Sequence, residues 1–181
     1  MNGPMLWFAN RGTGVVLLVL LTLSTMLGVL SGARVTTGIW PRMLSQGLHR
    51  NVSLLAVALL AAHVTTAVVD TFVDIRWWHA FVPFAGTYKP VWLGLGALAL
   101  DLLIAVTLTS ILRHRMSHRP WRAVHLLAYV AWGLGLVHGM QMGTDSASAW
   151  GAAINISCLA AVGVAVLARI GILAHSTVVA S

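Results

Sequence analysis

Charge is the scarcest property of this sequence. Only 8% of its 181 residues are charged, glutamate is missing altogether, and 59% of the residues are hydrophobic. A soluble globular domain carries about 25% charged residues, so the composition excludes that class, and the hydrophobicity excludes a disordered chain. The single cysteine excludes a disulfide framework, a thiolate zinc site, an iron–sulfur cluster within the chain and a covalently attached c-type haem.

Basic residues outnumber acidic ones, with 11 Lys and Arg against 4 Asp and Glu, for a formal net charge of +7. In a soluble protein that imbalance favours nucleic acid as a partner. In a chain this apolar it indicates basic loops on one side of a membrane. We therefore expect membrane lipid as a partner and no nucleic acid.

Five apolar stretches are long enough to cross a bilayer, which takes about 20 helical residues. Backbone groups in lipid must be hydrogen-bonded internally, and no alternating strand pattern competes. We therefore predict an all-α, integral-membrane bundle of five transmembrane helices, with residues 1–181 as a single domain. The predicted spans are about residues 13–31, 48–69, 91–112, 123–142 and 151–173.

The loops between these spans differ in charge. The second and fourth are nearly neutral, whereas the first and third are strongly basic. Their arginines are Arg34, Arg42 and Arg50 in the first loop and Arg113, Arg115, Arg119 and Arg122 in the third. Because Lys and Arg accumulate on the cytoplasmic side, we predict an N-terminus outside and a C-terminus in the cytoplasm. The preference for Arg over Lys, with abundant Ala and Gly, points to a bacterial plasma membrane.

Histidine is the unusual residue in so apolar a chain. Span two carries His49 and His63, 14 residues apart, which is about 21 Å and nearly four full turns of helix. Span four carries His125 and His138, 13 residues apart, or about 20 Å. One span separates these two, so they run parallel, and depth pairs His49 with His125 and His63 with His138. Two opposed imidazoles at each of two depths predict two bis-histidine sites, which suit flat haems between helices.

The 13-residue spacing fits this geometry less well than the 14-residue spacing. Thirteen residues of a straight helix turn about 1300°, which places His125 and His138 roughly 140° apart. Either Gly133 and Gly135 permit a bend, or the two haems are offset laterally. Alternatively, each histidine simply packs in the bundle against a neighbouring Ser, Thr or carbonyl and binds no cofactor.

Three short stretches and the paired spacings are similar to the ferric reductase-like transmembrane domain family. The stretches are Trp7–Gly14, Gly47–Ser53 and Trp121–His125. That family includes the membrane parts of NADPH oxidases and ferric-chelate reductases and the haem subunit of bacterial methionine sulfoxide reductases, and the resemblance runs from Trp7 to about Leu173. By resemblance, the iron atoms of two b haems are ligated by His49, His63, His125 and His138.

The resemblance implies a di-haem b-type membrane cytochrome, an oxidoreductase-type subunit that carries electrons across the membrane. The oxidases and reductases of that family carry a fused flavin and nicotinamide domain, whereas no dinucleotide-binding motif occurs in this sequence. The implied cytoplasmic donor is therefore a separate flavoprotein with FMN or FAD, or a membrane quinol. The implied outer acceptor is ferric iron, oxygen or a partner reductase.

Four further residues are candidates for the site. Haem propionates are anionic, so we predict that they bind Arg50 and Arg122 near the inner histidines and Arg11 at the outer face; determining topology and contacting lipid headgroups is the alternative. Asp101 lies near the middle of span three, where it relays protons, holds a haem-ligating histidine, or sits neutral among Ser and Thr. A relay through Asp101 and the histidines gives the alternative function, a small transporter or proton channel.

Overall fold

The computed structural model describes residues 3–32 and 42–179, so Arg34 of the first loop lies outside the described residues. Those residues form six α helices, one 3₁₀ turn and no strand. The helices are α1 (Gly3–Gly32), α2 (Arg42–Val69), α3 (Trp77–Phe81), α4 (Pro90–Ile111), α5 (His118–Met142) and α6 (Ala149–Val179), with the 3₁₀ turn at Arg113–Arg115.

Five of these helices, namely α1, α2, α4, α5 and α6, are long and apolar enough to cross a membrane. This confirms the predicted all-α bundle of five membrane-spanning helices. Several of them extend beyond the apolar runs: α1 begins at Gly3 and α5 at His118. Hydropathy marks only the part of a helix that lies in hydrocarbon, whereas backbone hydrogen bonds continue the helix into the interface. Arg11 consequently lies within α1.

The central helix of the bundle is α1, which packs against α2, α5 and α6, while α4 packs against α5 and the short α3. A core cluster of Trp132, Leu136 and Val162 is packed against apolar residues of α1. Trp132 Nε1 donates to Thr22 Oγ1 over 2.9 Å, so the indole N–H is satisfied inside the bundle. This bond ties α5 to α1.

The connection between α2 and α4 contains α3, on which Trp77 and Trp78 are exposed. Paired Trp residues at the end of a membrane helix are typical of an interfacial aromatic belt. Lys89 precedes Pro90 in the left-handed conformation, with a φ of 40°, and its Nζ donates to the Gln141 carbonyl over 3.2 Å. That bond joins the start of α4 to the end of α5.

Candidate functional site

The structure brings the four span histidines together in two pairs. The ring centres of His49 on α2 and His125 on α5 are 6.1 Å apart, with their planes at 73°. His63 and His138 lie near each other, further along the same two helices. The α1–α2 and α4–α5 hairpins contact each other through α1 and α5, and the rings of His49 and His125 also meet across that boundary.

The outer pair, His63 and His138, is held by backbone carbonyls. His63 Nδ1 lies 3.1 Å from the Asn10 carbonyl of α1, and His138 Nδ1 lies 2.8 Å from the Trp92 carbonyl of α4. A carbonyl can only accept, so Nδ1 carries the proton in both rings. The lone pair is therefore on Nε2, the nitrogen that a metal would take.

The inner pair reaches the same tautomer by two routes. His49 Nδ1 lies 2.9 Å from the Ser24 carbonyl of α1. His125 Nδ1 lies 3.4 Å from Ser110 Oγ of α4, and that hydroxyl donates its own proton to the Val106 carbonyl over 2.6 Å. Ser110 can then only accept from His125. No Nε2 of the four histidines has a hydrogen-bond partner among the described residues, so all four are free to ligate.

Glycines lie directly beside three of the four rings. A Cβ added at Gly96 of α4 would lie 2.6 Å from the His138 ring, and one at Gly14 of α1 would lie 3.0 Å from His63. A Cβ at Gly28 would contact His49 at 3.5 Å. Larger residues at Gly96 and Gly14 would push the imidazoles away from their carbonyl partners, so these glycines set how close each ring lies to its supporting helix.

Aromatic and basic residues surround the inner pair. Trp121 stacks on His125, with ring centres 5.0 Å apart and planes at 22°, and the Arg113 guanidinium carbon lies 4.5 Å from the Trp121 ring centre. Trp121 Nε1 is buried and has no hydrogen-bond partner among the described residues. A buried indole N–H without an acceptor is costly. An anionic group from outside the chain, such as a haem propionate, would satisfy it.

The three arginines predicted to bind propionates lie in different surroundings. Arg11 forms an ion pair with Asp145 in the loop between α5 and α6, and its guanidinium lies 4.1 Å from the Trp7 ring centre. Arg50 and Arg122 are exposed and make no hydrogen bond or ion pair with any residue that the structure describes. The structure therefore leaves Arg50 and Arg122 available to an anionic ligand and gives Arg11 a protein partner.

Asp101 lies on α4 and is partly exposed. Within the described residues it makes no hydrogen bond or ion pair, and the Nδ1 atoms of the four histidines are held by other groups. Neither a hydrogen-bonded relay from Asp101 to the histidines nor support of a histidine by Asp101 is present among those residues.

The residues fit a haem better than a bare metal ion. The described residues contain no group of three or more His, Cys, Asp and Glu that could hold a metal ion, and each site offers two imidazoles. A haem supplies four nitrogen ligands of its own and needs only two axial ones. Metal–imidazole bonds of about 2 Å on both sides would place the two ring centres about 6 Å apart, which is close to the 6.1 Å between His49 and His125.

Sequence reasoning named the kind of group that holds the histidines, a Ser, Thr or carbonyl, but not which residue holds which ring. Every residue has a backbone carbonyl, so the sequence does not mark the ones that hold a histidine. The residues beside the rings, however, recur at a regular spacing. Gly14 and Gly28 are 14 residues apart, and Gly96 and Ser110 are also 14 residues apart. The α1 spacing equals that of His49 and His63, and the α4 spacing is one residue longer than that of His125 and His138, because helices that pack side by side present their contact residues at similar depths.

Comparison with known protein families assigns the chain to one of them. The family profile described as a domain of unknown function, DUF8596, matches residues 5–145. The chain belongs to the DUF8596 family. The match covers α1 to α5, so it contains both histidine pairs, their supporting groups and both partners of the Arg11–Asp145 ion pair. No curated protein and no solved structure matches the chain.

Proposed function

We propose that this DUF8596 protein is a di-haem b-type cytochrome that transfers electrons across a membrane. One observation carries the proposal: two pairs of imidazoles on α2 and α5, each ring held through Nδ1 by a neighbouring helix and each with a free Nε2. In known metal sites, ligating histidines almost always donate their other ring N–H in this way. A histidine that only fills space in a bundle would be expected to bond its Nε2 as well, because an unbonded acceptor inside a protein costs free energy.

Each residue of the site has a definite task in this proposal. His49 and His125 would hold the inner haem by its iron, and His63 and His138 would hold the outer one. A bound b haem supplies reversible one-electron chemistry. The chain supplies ligation, an apolar surrounding that excludes water, and cationic or N–H groups for the propionates, of which Arg50, Arg122 and Trp121 Nε1 are the available ones.

The proposed donor is a cytoplasmic flavoprotein with FMN or FAD, or a membrane quinol, and the proposed acceptor is ferric iron, oxygen or a partner reductase outside. The exposed residues Arg113, Arg115, Arg119 and Arg122 form a basic surface beside the inner pair. Such a surface favours an acidic partner through electrostatic steering, which weakens as salt is raised. We place the protein in a bacterial plasma membrane with its N-terminus outside.

Haem content is the deciding experiment. The protein purified in detergent from haem-supplemented cells is expected to give two non-covalent haems per chain in a pyridine haemochrome assay. Its reduced-minus-oxidised spectrum is expected to show two low-spin b components. The matched control replaces all four histidines by Ala and is expected to bind none. A wild-type chain that is folded, monodisperse and without haem would overturn the proposal and would favour the transporter or channel.

A further inference from the structure

Two open depressions lie along the seam between α1 and α6, on the side of α1 that carries Arg11, and together they are called the α1–α6 groove. Two cavities of about 310 and 320 Å³ follow one another along it. Both volumes lie in the range of small-molecule sites. The first cavity is lined by Phe8, Arg11 and Gly12 of α1, Trp150 of α6 and Asp145 of the preceding loop, and the second continues along the two helices as far as Met26 and Ala161.

The α1 residues of this groove follow one helical stripe, with spacings of three and four residues. From Phe8 to Met26 the stripe covers about 27 Å of helix, so an acyl chain that starts beside Arg11 and reaches the bilayer midplane, about 15 Å away, occupies its first half. The rims are open, because Phe8, Val16, Leu23 and Trp150 are all exposed. An apolar groove that opens sideways within a bilayer is filled by the surrounding solvent, which is lipid acyl chain.

One end of the first cavity is lined by charged side chains, which have no favourable interaction with an apolar acyl chain. Arg11 and Asp145 form an ion pair there, and both line the cavity. Their side chains remain about a quarter exposed, at 25% and 26%. A guanidinium has five N–H donors and a carboxylate has lone pairs on both oxygens, so each partner keeps bonding capacity while the pair stays intact.

We infer that the α1–α6 groove binds one zwitterionic phospholipid with a primary ammonium group, as in phosphatidylethanolamine. The acyl chain lies along the apolar stripe, Arg11 donates to the phosphate, and Asp145 accepts from the ammonium. The four charges then alternate in sign. An anionic headgroup such as phosphatidylglycerol lacks the ammonium that would pair with Asp145, and a choline headgroup has no N–H to donate to it. The inference is independent of haem.

Native mass spectrometry after reconstitution tests this site. The protein is placed in vesicles with equal amounts of phosphatidylethanolamine, phosphatidylcholine and phosphatidylglycerol that share the same acyl chains, and is then extracted gently. We expect one retained lipid per chain, with ethanolamine lipid enriched about tenfold over choline lipid, the ratio that one charge-assisted hydrogen bond supplies. Equal retention of the ethanolamine lipid and the choline lipid would overturn the inference.

Two variants separate the headgroup from the groove. Asp145→Asn is expected to abolish the preference for ethanolamine over choline lipid. Gly12→Leu fills the groove, since a Cβ at Gly12 meets no atom within 4 Å, and is expected to lose the retained lipid. Gly163→Leu on α6 is the control, because its Cβ is equally free and it lies outside the groove. Equal lipid retention by the two leucine variants would also overturn the inference.

Discussion

The four imidazoles differ in what holds their Nδ1 nitrogen. His49, His63 and His138 each bond a backbone carbonyl at 2.9, 3.1 and 2.8 Å. His125 has only the Ser110 hydroxyl, at 3.4 Å, with Trp121 stacked on its ring. A carbonyl cannot be removed by a side-chain substitution, whereas a hydroxyl can. His125 is therefore the ligand candidate whose orientation depends most on one side chain.

Ser110→Ala is expected to weaken the inner site selectively, because it removes the hydrogen-bonded partner of His125. Loss of such a partner typically lowers metal-site affinity by about 10-fold or more. The measurement is haem retention and the midpoint potential of each spectral component during a redox titration. Ser24→Ala is the matched control: it removes a hydroxyl that lies 3.2 Å from His49 Nδ1, but the Ser24 carbonyl still holds His49, so a smaller change is expected. Equal effects from the two variants would contradict this ranking.

Gly96 supports the outer site by having no side chain. Gly96→Ala places a Cβ 2.6 Å from the His138 ring, a distance that forces the ring or the helix to shift. We expect loss or broadening of the outer component in the low-temperature difference spectrum, with the inner component intact. Gly133→Ala on α5 is the control, since its Cβ meets no atom within 4 Å. An unchanged spectrum for Gly96→Ala would show that the site tolerates a displaced ring.

At the scale of elements, the unit of this fold is a helical hairpin. In both α1–α2 and α4–α5 the first helix supports two histidines that the second helix carries. The hairpins correspond at the outer end: the Asn10 and Trp92 carbonyls hold His63 and His138, and Gly14 and Gly96 follow four residues later. They differ at the inner end, where the 13-residue spacing of α5 leaves His125 to a side-chain hydroxyl.

The pairing of histidines across the two hairpins gives an element-scale prediction. His49→Ala and His125→Ala are each expected to remove the same spectral component, and His63→Ala and His138→Ala the other one, because each component needs a ligand from both α2 and α5. Difference spectroscopy of the four single variants measures this. If His49→Ala and His138→Ala removed the same component, the pairing by depth would be wrong.

For the whole molecule, the charge distribution predicts how the bundle sits in the membrane. The basic turn between α4 and α5 is exposed, and lysine and arginine favour the cytoplasm. Ser117→Cys is therefore expected to resist labelling by an impermeant thiol reagent added to intact cells, and to react after the membrane is opened. The native Cys158 is buried and serves as the background.

The control for this topology is Thr87→Cys, because Thr87 is exposed in the connection between α2 and α4, on the opposite side of the predicted membrane. It is expected to react in intact cells. Labelling of Ser117→Cys, and protection of Thr87→Cys, would invert the orientation and would exchange the sides assigned to the donor and the acceptor.

Much of the fold could be predicted because membrane helices depend on short-range properties. Hydrophobic length identifies a span, and the rise per residue sets the depth of each histidine. The connections were less predictable: α3 and the 3₁₀ turn at Arg113–Arg115 have no strong hydrophobic pattern. Arg11 was predicted at the outer face for a propionate, whereas its ion pair with Asp145 joins residues 134 positions apart.

The sequence by itself determined the class of protein, the number of spans and which histidines lie at equal depth, since each of these follows from composition or from distance along one helix. Only the tertiary structure decided which groups hold each ring, which glycines lie beside the imidazoles, and that Asp101 has no partner among the described residues. Those features depend on how each helix is rotated about its axis and on the register between neighbouring helices. Spacing within a single span does not encode either quantity.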